Sequence, residues 1–402
     1  MGDTRREALL RELDSRLAAT DAALAARYPG PAGGRHPVHT VYVPADRFDA
    51  GAAVAWGEAG AAALATHGGD DAELAAVFGI SPELLGPVRE RVVAKLTREP
   101  VEDLRVDFED GYGRRGDDEE DAAATAAGAA LGAAHAAGTA PAFAGLRHKS
   151  LEADTRARAV RTLDLFLEAY LAAGGDPAAL TVTCPKVSTV DQVSALVALC
   201  AGLEGAHGIA PGALRFELQI ETPPAVLGAD GAATVARMLD AAEQRCLALV
   251  YGTYDYSAAL GVAPAEQRSD HPVAEYAKAV MQVATANTGV RVSDGSSNFL
   301  PVGDHDAVLR AWRVQARLVW RALRGGLYQG WDMHPAQLPA RFLVTYAFFR
   351  EGAPSAVARL RAYRAKADTG VMDEPATERA LVAYLERGVG CGALDPDEVE
   401  VL

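Results

Sequence analysis

Short apolar runs rich in β-branched residues, each halted by Gly, Pro or a charge, recur along the chain between Ala/Leu-rich stretches of helical character. Eight of them read as strands: HTVYVP (39–44), LRVDFE (104–109), FAGLRH (143–148), LTVTCPK (180–186), LRFELQIE (214–221), LALVYGTYD (247–255), VRVSDG (290–295) and LYQGWDMHP (327–335). Eight strand–helix units predict an α/β protein of the TIM type, a closed parallel (β/α)₈ barrel with its helices outside. A doubly wound open sheet is the alternative, but no glycine-rich dinucleotide turn follows the first strand.

The polar positions carry a second pattern. Each strand ends in charged or polar groups: Asp46 and Arg47; Asp107, Glu109 and Asp110; Arg147, His148 and Lys149; Lys186; Glu221; Asp255; Asp294; Asp332 and His334. In a parallel barrel these ends converge on one rim, where active sites of the fold are built. Outside the repeat lie a leading helix (1–30), with Leu9, Leu10, Leu13 and Leu17 along one side and expected to pack, and a helical insert (48–100) after the first strand. The barrel is expected to span 1–345, and a helical tail or lid 346–402, interrupted by ADTGVMDEP (367–375).

Composition narrows the partners. With 54 acidic and 39 basic residues the formal charge is −15, and no Lys/Arg block offers a nucleic-acid footprint. No apolar run is long enough for a signal h-region or a bilayer span, so a cytoplasmic location is expected. Cys184, Cys200, Cys246 and Cys391 form no C-x-x-C pair and are expected to be reduced, with Cys184 a small buried hydrophobe.

Glu221 and Asp255 close consecutive strands. Neighbouring parallel strands lie about 4.8 Å apart, so two such carboxylates can share a hard cation, Mg²⁺ or Mn²⁺, that keeps positions for water and a chelating 2-oxo or 2-hydroxy acid. The plain alternative is two strand-end acids satisfied by loop amides or basic partners. Thr222-Pro223-Pro224 restricts the chain after Glu221, and Gly252 allows close backbone approach, so the Gly252, Thr253 and Tyr254 turn is expected to meet the substrate. Tyr254 and Tyr256 are expected to pack beside the site rather than react. Arg147 suits a substrate carboxylate through its planar fork, or neutralises Glu109 or Asp110. Those two acids are placed behind the metal, orienting its waters and Arg147. Lys186 is a cation beside developing negative charge or a salt-bridge partner, and as a Schiff-base lysine it would leave Glu221 and Asp255 unexplained. His148 is a general-base candidate or a satisfied rim residue, and His334-Pro335 a turn.

The ordered set VDFEDG, LRHK, CPKVSTVDQV, IETPPAV, YGTYDYSAALG, GWDMHPAQL and TGVMDEP resembles the citrate lyase β-subunit and malyl-CoA lyase group of the HpcH/HpaI aldolases, with malate synthase-like features in FEDG and YDY. It runs over residues 39–385. The resemblance implies a barrel, Mg²⁺ on Glu221 and Asp255, chemistry through an enolate or enol of an acyl group, and Arg147 on the oxo acid or the developing charge. It also implies a homo-oligomer, a trimer or hexamer, in which Asp373 of TGVMDEP transfers protons across a subunit boundary; the alternative for Asp373 or Glu374 is a helix cap. The sequence departs from the group in a long connection between Glu221 and Asp255 and in His148-Lys149 after Arg147. The expected activity is a Mg-dependent carbon–carbon lyase or synthase on a 2-oxo or 2-hydroxy acid, with acyl-CoA as partner. A thioesterase and a non-catalytic carboxylate-binding barrel are the alternatives.

Overall fold

The computed structural model describes residues 2–366 and 374–400. Its centre is a closed barrel of eight parallel strands in sequence order: β1 (His39–Pro44), β2 (Asp103–Asp107), β3 (Phe143–Arg147), β4 (Leu180–Cys184), β5 (Arg215–Ile220), β6 (Cys246–Tyr251), β7 (Arg291–Ser296) and β8 (Gln329–Asp332). β8 closes on β1 with His39 opposite Gly330 and Val41 opposite Asp332. The eight-stranded barrel read from the sequence is therefore the fold.

Period-two alternation divides the strands between two environments. Val41, Val43, Leu104, Val106, Leu146, Val182, Phe216 and Leu218 join one apolar core with the outer helices. The alternate residues Asp103, Arg105, Thr183 and Glu217 meet inside: Arg105 bonds Glu217 through Nε and Nη2 at 3.1 and 3.0 Å, pairs with Asp103, and donates to Thr183 Oγ1 at 3.1 Å. The barrel is thus plugged by an ionic layer below the rim.

The insert after β1 is helical, as expected, and comprises Ala52–His67, Asp71–Phe78 and Pro82–Arg98. With helices His305–Arg324 and Leu338–Arg364 it builds a second apolar core beside the barrel. The leading helix, Gly2–Arg27, differs from expectation: Leu9, Leu10, Leu13 and Leu17 are about half exposed, at 56, 58, 54 and 47%. Its tie to the barrel lies at its end, where Arg27 pairs with Asp240. Among the described residues no helix is long and apolar enough to cross a membrane.

Candidate functional site

At the carboxyl ends of the strands opens a cavity of about 670 Å³, lined by Tyr42, Asp107, Arg147, Gln219, Glu221, Gly252–Asp255 and Trp331, with Trp56 of the insert on its wall. Arg147, which ends β3, is almost fully buried. Its Nε and Nη2 fork Asp107 at 2.7 and 2.8 Å, Nη1 reaches Gln219 Oε1 at 3.2 Å and Glu109 Oε2 at 3.4 Å, and the guanidinium lies 4.7 and 5.3 Å from the Tyr42 and Trp331 ring centres. Two rings and one carboxylate therefore fix its plane against the cavity. Asp107, the end of β2, also accepts from the amides of Glu109 and Gly111 at 3.0 and 2.9 Å. The main ionic partner of Arg147 is thus Asp107; Glu109 is secondary, and Asp110 pairs instead with Lys186.

Lys186 organises the opposite side. It follows β4 in the left-handed region, at φ 54°, which non-glycine residues seldom adopt. The conformation aims its amide at Glu221 Oε1, 2.8 Å away, while Nζ pairs with Glu109, with Asp110 at 3.0 Å and with Asp255 at 3.3 Å. Burial works against its charge, but Glu109 and Glu221 outweigh it and hold the ammonium well above the usual lysine range.

Glu221 is 3% exposed, and its other oxygen accepts from Gln219 Nε2 at 2.6 Å. Burial pushes its carboxyl up to about 8; Lys186 and Arg147 counter this, and Asp255 and Glu109 add to it. Asp255 is half exposed and is not a strand-end residue: β6 stops at Tyr251, and Asp255 stands in the first turn of helix Thr253–Ala259. Both acids line the same cavity. Gly252 makes that approach possible, because a Cβ there would lie 2.4 Å from Glu221 Oε2. Thr253 Oγ1 donates to the Ser296 carbonyl at 3.2 Å, and Tyr254 OH accepts from the amide of Asn298, so Tyr254 is anchored beside the site.

Several polar strand-end residues serve the scaffold. His148 is fully buried, its Nδ1 donates to the Lys149 carbonyl, and burial drives its imidazole down to about 4. It is a neutral interior residue rather than a rim base. Lys149 holds the loop after β2 through the Phe108 carbonyl at 2.7 Å and Glu120 at 2.7 Å. Asp294 is tied to Lys278 at 3.0 Å, and Asp332 to Arg341 and His39. His334 caps the Pro335–Gln337 turn, as expected. Glu374 caps helix Pro375–Gly390, whereas Asp373 lies outside the described residues.

A family model described as a domain of unknown function, DUF6986, matches residues 17–402. The chain belongs to the DUF6986 family. No curated protein matches it. Among solved structures this DUF6986 chain is similar to a citrate lyase from Burkholderia xenovorans LB400, with 21% identity, a TM-score of 0.59, and 92% of this chain and 97% of that one covered. It is also similar to protein CitE from Mycobacterium tuberculosis in complex with magnesium, acetoacetate and coenzyme A, with 18% identity, a TM-score of 0.52 and coverage of 88% and 98%. A malate synthase from Haloferax volcanii gives 13% identity, a TM-score of 0.52 and coverage of 90% and 100%. At such identities the likeness is one of fold. The DUF6986 barrel shares the fold of these citrate lyase, CitE and malate synthase structures.

Among the lining residues of the DUF6986 site not singled out by sequence are Gln219, Tyr42, Trp331 and Trp56. Gln219 lies two positions before Glu221, hence on the same strand face, and that spacing could have found it. Tyr42, between Val41 and Val43, reads as core, and Trp331, between Gly330 and Asp332, carries no signal that aims it at the rim. Trp56 sits in the insert, and no local signal aims it at the rim.

Proposed function

We propose that this DUF6986 protein is a divalent-metal-dependent carbon–carbon lyase or synthase, of aldol or Claisen type, acting on a 2-oxo or 2-hydroxy acid with an acyl-CoA as partner. The observation that carries the reading is the pair Glu221 and Asp255 in one cavity with Arg147, the first acid buried and destabilised as an anion. A buried carboxylate raised in this way gains most from a cation at its open side. Mg²⁺ or Mn²⁺ would sit on these two carboxylates, with water and substrate oxygens completing the shell. When bound, the ion would supply Lewis-acid polarisation of a substrate oxygen.

The chain's own groups would do the rest. Arg147, pre-oriented by Asp107 and the two rings, faces the substrate carboxylate or the charge that develops next to it. Gly252, Thr253 and Tyr254 form the wall against which the substrate lies, and Glu109 and Asp110 fix Lys186 beside it. Lys186 is paired with three carboxylates and held protonated, which argues against a Schiff-base nucleophile and for an electrostatic role. Asp373 is the proposed acid/base, delivered across a subunit boundary in a homo-oligomer.

The test is calorimetric titration of the full chain with Mg²⁺ and then glyoxylate, pyruvate or oxaloacetate. Binding of one oxo acid is expected to need the metal and to disappear in Glu221→Ala and Asp255→Ala. Binding that ignores both metal and substitutions would overturn the reading, and thiol release from acyl-CoA without an oxo-acid product would point to a thioesterase.

A further inference from the structure

At the opposite, amino-terminal end of the barrel lies a second cavity of about 270 Å³, between the connection that follows the leading helix, the starts of β7 and β8 and the last turn of helix Pro375–Gly390. Three basic side chains line it: His36, Arg291 and Arg387. In a chain of net charge −15 this concentration is unusual, and so is its lack of counter-charge. Among the described residues neither Arg291 nor Arg387 forms an ion pair, although most of the chain's other arginines do. Arg291 Nε and His36 Nε2 are buried without a hydrogen-bond partner, a state that ordinarily destabilises a fold.

The two guanidiniums are nevertheless held in place. Arg387 lies 4.4 Å from the centre of the Tyr328 ring and Arg291 5.8 Å from that of Phe143. Ring contact fixes a guanidinium by its face and leaves its N–H edge available. Asp103 and Glu217 of the interior layer attract Arg291 from within the barrel without touching it. Burial, with the nearby charges of Arg291 and Arg387, pushes His36 down to about 4, so it stands neutral beside two like charges, and an anion between the two guanidiniums would relieve them and favour the protonated imidazole.

We infer that this cavity is a binding site for a small, multiply charged oxyanion, a phosphate or a short dicarboxylate, held by Arg291, Arg387 and His36. Its volume suits such an ion rather than a CoA-sized ligand, and the orphaned Nε–H of Arg291 suits an oxygen acceptor better than chloride. The site is independent of the rim cavity and of the activity proposed there.

The experiment uses the full chain, titrated with inorganic phosphate and with succinate against chloride at equal ionic strength, by calorimetry and by the shift in Tm. Saturable binding of at least one of the two is expected, and the one that binds identifies the source of the oxyanion. Arg387→Gln, on a helix surface, should weaken it at least tenfold, and Arg387→Lys, which keeps charge and loses the fork, by an intermediate factor. Glu221→Ala, at the other end of the barrel, should leave it unchanged. Binding that fails to saturate, that survives Arg387→Gln, or that is lost in Glu221→Ala would overturn the assignment.

Discussion

Arg147 gathers more of the site than any other side chain, because one planar fork meets Asp107, Gln219, Glu109 and two rings at once. An ammonium cannot span Asp107 bidentately. Arg147→Lys is therefore expected to lower kcat/KM at least tenfold, about 1.4 kcal/mol in the barrier, and steady-state kinetics with the oxo acid identified by titration will read it. Near-normal turnover would remove Arg147 from the proposed chemistry. His148, its neighbour, has the opposite character. Its folded-state pKa, about 4, lies below the ordinary 6.5, so the unfolded chain binds the proton first as the solution is acidified. The stability present above pH 6.5 is thus lost as pH falls towards 4, with a slope of at most about 1.4 kcal/mol per pH unit. Urea midpoints measured between pH 4 and 7 should fall less steeply on acidification in His148→Gln than in the parent, and equal slopes would contradict a buried neutral imidazole.

Helices Asp117–Ala136 and Arg156–Ala172 show how element packing overrides local preference. They meet backbone to backbone at Gly128 and Gly132, where a Cβ would lie 2.3 Å from the carbonyl oxygens of Phe166 and Tyr170. Alanine is the better helix former by about 1 kcal/mol, but here its methyl would strike main chain that cannot rotate away. Gly128→Ala is accordingly expected to destabilise by roughly 1–3 kcal/mol despite its propensity gain. Denaturant unfolding gives the sign directly, and a stabilised variant would mean that the helices can separate freely. A similar conflict explains Asp255. Its segment, LALVYGTYD, reads as one continuous strand, yet the chain turns at Gly252 and begins a helix, and at that turn any side chain would strike Glu221, which follows β5.

The whole barrel is organised around its ionic plug. Arg105 spans from β2 to β4 and β5 and balances Asp103 and Glu217, all three fully buried. Removing one partner of a buried pair leaves an uncompensated charge, at about 3–5 kcal/mol. Arg105→Met should therefore cost about that much in unfolding free energy, seen as a lower urea midpoint. The double replacement of Asp103 and Glu217 by Asn and Gln in the same background should recover part of it. No recovery would show that the layer is held by shape rather than by charge.

The sequence by itself determined the barrel, because period-two alternation, strand-end charges and repeated strand–helix units are local signals, each legible within a few residues. It also determined the rim position of Arg147, Lys186 and Glu221, since the end of a strand is written in its own turn residues. Tertiary structure decided the rest. It chose Asp107 over Glu109 and Asp110 as the main partner of Arg147, buried His148 beyond the reach of solvent, placed Asp255 on a helix, and brought Trp56 from the insert and Trp331 from β8 to the same cavity. Each of these depends on which side chains meet across the barrel and how much water remains between them, and separation in space is the one quantity a linear pattern does not carry.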